Sequence, residues 1–272
     1  VVDVLFAMSD DRRRRVINFD IDPANASPVA NAGGPYSIDE GLPLELSGVF
    51  SYDAESAQLQ YEWDLEDDGN DAFDDADVAN ARYVFADNGV YQARLRVTDE
   101  SGKTDIDTAR VQVRNVAPRI DEIDWIRIIP EGDILSVEVR ATDPGADVVT
   151  YQFDWDGDGQ FDTDPQLQNR ADYVYTDDGV YRARVRVEDD DGGHIEGEFE
   201  VVVENAAPVI SQVVAPPSVA EGVVFEVVTI AADPGGDELR YAYDFEGDGE
   251  FEVENSVLAR VDVHYADDGL YT

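Results

Sequence analysis

The sequence predicts an all-β chain of tandem β-sandwiches, arranged end to end as an elongated rod. Three observations carry this expectation: a 90-residue internal period, strict period-two alternation in several segments, and turn-forming residues between them. The period is read from three anchors. "YEWDLEDDG" starts at Tyr61, "YQFDWDGDG" at Tyr151 and "YAYDFEGDG" at Tyr241. "ADNGVY", "TDDGVY" and "ADDGLY" end at Tyr91, Tyr181 and Tyr271, and Pro28, Pro118 and Pro208 keep the same spacing. Self-similarity at a fixed period marks an array of one structural unit. The expected units are 28–117, 118–207 and 208–272. Residues 1–27 read as the last two strands of a preceding, or neighbouring-chain, repeat.

Each unit reads as strands. In "YRARVRV", 181–187, Ala183, Val185 and Val187 share one face and Arg182, Arg184 and Arg186 the other. Residues two apart on a strand point the same way, so one face packs on a core and the other meets water. "YQARLRV" at 91–97 repeats this, and "SVEVRAT" and "FEVVTIAA" are further strands. Gly, Pro, Asn and Asp clusters interrupt the strands at sandwich spacing. Trp63, Phe153 and Tyr243 hold equivalent places, where an immunoglobulin-like sandwich puts a large central-strand aromatic. Tyr91, Tyr181 and Tyr271 each open a strand just after a glycine, as a tyrosine corner does.

"GGPYSIDEGLPLELSG", "YEWDLEDDG" and "GVYQARLRVTDESG" resemble the PKD (polycystic kidney disease) domain family. The resemblance spans nearly the whole chain and is closest in 28–117; Phe153 and Tyr243 depart from it by replacing the tryptophan. It implies a seven-stranded, usually extracellular sandwich, found in surface proteins and beside secreted hydrolases. A fold alone does not specify a function.

Composition narrows the function. There are 62 acidic against 19 basic residues, a net charge of −43, with Lys103 the single lysine and no cysteine. Such a surface repels nucleic acid and anionic membranes and attracts cations. No apolar run approaches the roughly 18 residues of a membrane span. The excess of acid favours an extracellular or cell-surface location, where salt or divalent cations are plentiful.

The candidate metal ligands lie in the recurring acidic loops. In "DWDGDGQFDTD", Asp154, Asp156, Asp158 and Asp162 match positions 1, 3, 5 and 9 of a D-x-D-x-D-G calcium loop, with Gly159 at the sharp turn. The equivalents are Asp64, Glu66 and Asp68, and Asp244, Glu246 and Asp248. Alternate carboxylates can converge on one Ca2+, yet no unit has the bidentate Glu at position 12, and Asp and Gly also build plain solvated turns. A second set recurs near the junctions: Asp53, Asp143 and Asp233, with Asp147, Asp237, Asn115 and Asn205. It resembles the calcium-stiffened linkers of tandem sandwich proteins.

No catalytic constellation is expected. His194 reads as an exposed hairpin tip and His264 as a partly buried strand residue. Trp125 lacks counterparts in the other units, which have Pro35 and Ala215 in its register, and could serve either core packing or a glycan-binding face. The reading is therefore non-enzymatic: a rod, stalk or filament subunit. The alternatives are a polymer-binding accessory region of a secreted hydrolase, or the stalk of an adhesin. Residues 208–272 lack the register of their last two strands. Residues 1–27 carry it, with Leu5 matching Val185 and Phe19 matching Phe199. The expected partners are thus copies of the chain head to tail, by strand donation, or adjoining repeats of a longer chain.

Overall fold

The structure, a computed structural model, describes residues 25–65 and 72–271. Within these residues all regular structure is β, and no helix is long and apolar enough to cross a membrane. The described chain divides into two compact units, 25–116 with 144–147, and 117–143 with 148–271. Residues 1–24, including Leu5 and Phe19, lie outside the described residues.

The first unit contains β1 (Tyr36–Asp39), β2 (Pro43–Ser47), β3 (Gln60–Asp64), β4 (Asn80–Val84), β5 (Gly89–Thr98) and β6 (Thr104–Arg114). One sheet has the order β1-β6-β5-β3, with β1 parallel to β6 and the other pairs antiparallel; β2 pairs with β4 in the facing layer. The inward residues of β5 are Ala93, Leu95 and Val97, all fully buried, as the alternation predicts. Trp63 sits opposite Leu95 and packs with Leu46, Val111 and Val113.

The second unit begins with the same sandwich. Its strands are β7 (Arg119–Asp124), β8 (Ile128–Pro130), β9 (Ile134–Thr142), β10 (Thr150–Asp154), β11 (Arg170–Val174), β12 (Gly179–Glu188) and β13 (His194–Glu204). They form sheets β10-β12-β13-β8 and β11-β9-β7. The core is more aromatic than the first: Trp155 stacks on Phe153 at 4.9 Å and on Tyr173 at 5.0 Å. The third repeat continues as β14 (Val209–Val214), β15 (Phe225–Ala232), β16 (Tyr241–Tyr243), β17 (Val253–Ser256) and β18 (Arg260–Val263). Here Val263 and Thr229 are buried while Val209, Ile210, Val213 and Leu258 are exposed.

Several outer arginines are paired with acids on their own or a neighbouring strand. Arg94 meets Asp64 and Arg96 meets Glu62, both at 2.9 Å, and Arg186 lies 3.5 Å from Glu188 and 3.8 Å from Glu196. The Arg96 hydrogen bond holds the Glu62 carboxyl below its usual range. Asp64 is buried, whereas the more exposed Arg96 and Arg186 pairs contribute about 0–1 kcal/mol each. Their role here is to place cations within a strongly anionic surface.

The tyrosine corners are present in all three repeats. Tyr91, Tyr181 and Tyr271 donate to the carbonyls of Asp87, Asp177 and Asp267, at 2.8, 3.0 and 3.3 Å. The Tyr91 and Tyr181 bonds tie the starts of β5 and β12 to the turn four residues upstream. Tyr181→Phe removes one such bond and is expected to lower unfolding free energy by about 1 kcal/mol. Urea denaturation with an unchanged m-value checks this.

Candidate functional site

The acidic loop after β10 is organised by its first residue. Asp154 is fully buried; its Oδ1 accepts from Gly157 N at 2.7 Å and its Oδ2 from Gly159 N at 3.0 Å. Asp162 Oδ2 accepts from Trp155 N at 2.7 Å, and Asp156 Oδ1 from Asp158 N at 3.0 Å. Asp158 turns to Gln160, accepting from its backbone and side-chain amides. The loop does bring Asp154, Asp156 and Asp162 together, with one oxygen of each within 4.8 Å of the others. Much of their acceptor capacity, however, serves the loop's own backbone.

The third repeat shows the same device. Asp244 accepts from Gly249 N at 2.9 Å, Gly247 N at 2.6 Å and Glu246 N at 3.2 Å, and these amides, Gly249 foremost, hold its carboxyl below the usual range. Asp248 Oδ1 accepts from Glu250 N, and Glu246 is exposed. In the first unit Asp64 is buried against Arg94, while Glu66 and Asp68 lie outside the described residues. The Asp-x-x-Gly-x-Gly spacing of the second and third loops thus has a local explanation. One carboxylate caps two glycine amides, and the glycines at 157, 159, 247 and 249 adopt the positive φ the turn requires.

The second acidic set also forms turns. Asp53 Oδ1 accepts from Glu55 N and Ser56 N, and Asp233 Oδ1 from Gly235 N, Gly236 N and Asp237 N. Glu40 and Glu131 are not among the residues singled out from the sequence. Both are buried glutamates that hold the backbone after the last strand of their repeat: Glu40 Oε1 accepts from Val116 N at 2.7 Å and Glu131 Oε1 from Ala206 N at 2.9 Å. A glutamate beside a glycine in a turn carries no local sign of burial, so only the recurrence of the Glu-Gly pair could have singled these out.

A third carboxylate, Asp99, has a clear acid-base signature. Burial raises its pKa, but hydrogen bonds from Asn25 Nδ2, the Lys103 and Ser101 amides and Ser101 Oγ outweigh that and hold it at about 2. A carboxyl of lowered pKa stabilises the fold above its unfolded value, about 3.9, and that contribution is lost as pH falls through about 2. Acid denaturation followed by Trp63 fluorescence should therefore steepen below about pH 4. Asp99→Asn should flatten that part of the curve.

Trp125 belongs to the core. It is half-buried, its ring lies 5.4 Å from Phe199, and its Nε1 donates to Glu200 O at 3.0 Å. His194 opens β13 and is exposed, as expected. His264 corrects the sequence reading: it is exposed just beyond β18, where the inward position is taken by Val263.

Comparison with known proteins adds the following. The family described as the PKD domain matches residues 25–113 and again 115–203. Among solved structures, the chain is similar to the PKD domain of an M14-like peptidase from Thermoplasmatales archaeon SCGC AB-540-F20, at 23% identity over 33% of this chain and 98% of that one, TM-score 0.29. It is similar to the PKD1 domain of Vibrio anguillarum Epp, at 24% identity over 34% and 98%, TM-score 0.27. Mouse cadherin-23 EC22-24 matches at 16% identity over 86% of this chain and 87% of that one, TM-score 0.32.

Proposed function

Because this chain belongs to the PKD domain family, in tandem copies, we propose that it is a non-enzymatic, extracellular spacer: a rod-like stalk or filament segment that holds other parts at a distance. The observation that supports it most is the recurrence of one structural scheme: buried central-strand aromatic, tyrosine corner and acid-paired arginine row in both 25–113 and 115–203. Such repeats place residues by architecture rather than by a specialised pocket. The prolines at the repeat starts stiffen short linkers. A surface of net charge −43 keeps such a segment soluble outside the cell, where salt screens its self-repulsion.

Small-angle scattering tests this reading. A globule of this length has a radius of gyration of about 18 Å; a rod of three sandwiches end to end should exceed about 30 Å. A value near about 20 Å would overturn the spacer reading.

The exposed apolar residues Ile210 and Val213 of the third repeat, in the register of Ile120 and Ile123 of the second, favour one partner class. They suit the last two strands of a repeat, donated by residues 1–27 of a second copy or by an adjoining repeat of a longer chain. Concentration-dependent association in sedimentation, abolished by Phe19→Asp, supports donation between copies. Concentration-independent sedimentation rejects it.

A further inference from the structure

Glu131 is a buried carboxylate of the second unit. It follows β8 in a Glu-Gly turn and is only 1% exposed. Its backbone N donates to Glu204 O at 2.9 Å, and its Oε1 accepts from Ala206 N at 2.9 Å. Its Oε2 is buried and, among the described residues, has no hydrogen-bond partner. A buried carboxylate oxygen without a donor is costly, because it has lost its water and gained nothing in return.

That oxygen faces the turn at Asp233–Asp237. A β-carbon placed on Gly235 would lie 2.4 Å from Glu131 Oε2, and one on Gly132 would lie 2.4 Å from Pro234 O. Glycine at both positions is what lets the two turns close on each other. Asp233 and Asp237 each bring one carboxylate oxygen to within 4.8 Å of Glu131 and of one another. Asn205 Nδ2 lies 3.4 Å from Asp237 Oδ2, which brings an amide to the edge of the same cluster. Asp177 and Asp178 form a second triad with Glu131. None of these five acids makes an ion pair with a described Arg, Lys or His. Like charges gathered around a buried carboxylate repel strongly at low effective dielectric. A bound cation would reverse the sign of that interaction.

We propose that Glu131, Asp233 and Asp237, with Asn205 beside them, form a calcium site that joins the end of the second repeat to the start of the third. The donors are all hard oxygens, with neither imidazole nor thiolate, which suits Ca2+ rather than zinc or copper. Glu131 comes from one repeat and the aspartates from the next, so the ion would bind fully only when the two are docked. Calcium would then set the stiffness of this junction. The site is separate from the loop at 154–162 and does not depend on the spacer role.

The test is calcium chloride titration of the full chain by calorimetry, with thermal melts in EDTA, in calcium chloride, and in sodium chloride of equal ionic strength. Glu131→Gln retains an oxygen that can accept from Ala206 N but removes the charge. It should weaken one calcium site by about tenfold or more, lose the calcium-specific rise in Tm at this junction, and melt no earlier than the native chain in EDTA. Asp237→Asn, at an exposed position, should give the same loss if Glu131→Gln folds poorly. Native calcium stoichiometry and affinity in both variants would overturn the proposal. So would a calcium effect on the native chain no larger than that of sodium.

Discussion

Phe153→Ala is expected to lower the unfolding free energy of the second repeat by about 3–5 kcal/mol. Phe153 is fully buried on β10, opposite Val185, with its ring parallel to Trp155 at 4.9 Å and 5°. Truncation loses the transfer free energy of the ring and opens a cavity that neighbours on two rigid sheets cannot fill. Trp155 is held on its other side by Tyr173 at 5.0 Å, so it cannot slide far into the gap. Domains are stable by only about 5–15 kcal/mol in total, so the loss takes much of the reserve. Urea denaturation monitored by tryptophan fluorescence would show it as an earlier transition; a loss under about 1 kcal/mol would mean that the core closes around the cavity.

Asp154→Ala should cost about 2–4 kcal/mol, and the cost should be present in calcium-free buffer. The side chain is fully buried and serves Gly157 N and Gly159 N, one oxygen to each. Removing it leaves two amides without their acceptor and releases a turn whose glycines sit at φ of 73° and 90°. A hydrogen bond to a charged acceptor contributes about 1.5–3 kcal/mol, more than a neutral one. Asp154→Asn should cost less, since one acceptor oxygen remains. A variant as stable as the native chain without calcium, and weaker only with it, would mean that the carboxylate serves an ion rather than the backbone.

The acidic loops show how far sequence reading reaches. Asp-x-Asp-x-Asp-Gly signals a cation loop and a glycine turn equally well, because both need carboxylates at alternate residues and a positive φ at the end. Both also need the first carboxylate to cap the glycine amides, and here Asp154 accepts from Gly157 and Gly159 and Asp244 from Gly247 and Gly249. Trp125 was ambiguous for a similar reason: an unmatched tryptophan can be a platform or a core residue until its neighbour Phe199, on a strand far along the chain, is in place. His264 was misread because a strand offers only one of two adjacent residues to the core, and Val263, beside it, takes that place.

Strand faces, the central aromatics and the tyrosine corners were legible because they are short-range properties. Alternation along Tyr181–Val187 sorts Ala183, Val185 and Val187 inward before any partner strand is known. A tyrosine four residues after a turn carbonyl reaches back to it locally. Burial of charge is different, since it depends on what the rest of the chain brings near. Glu131 meets Ala206, 75 residues on, and the Gly235 turn beyond it. Nothing within ten residues of Glu131 distinguishes it from the many solvated acids of this chain. Its desolvation arises only when two turns with no side chain between them close on its carboxylate.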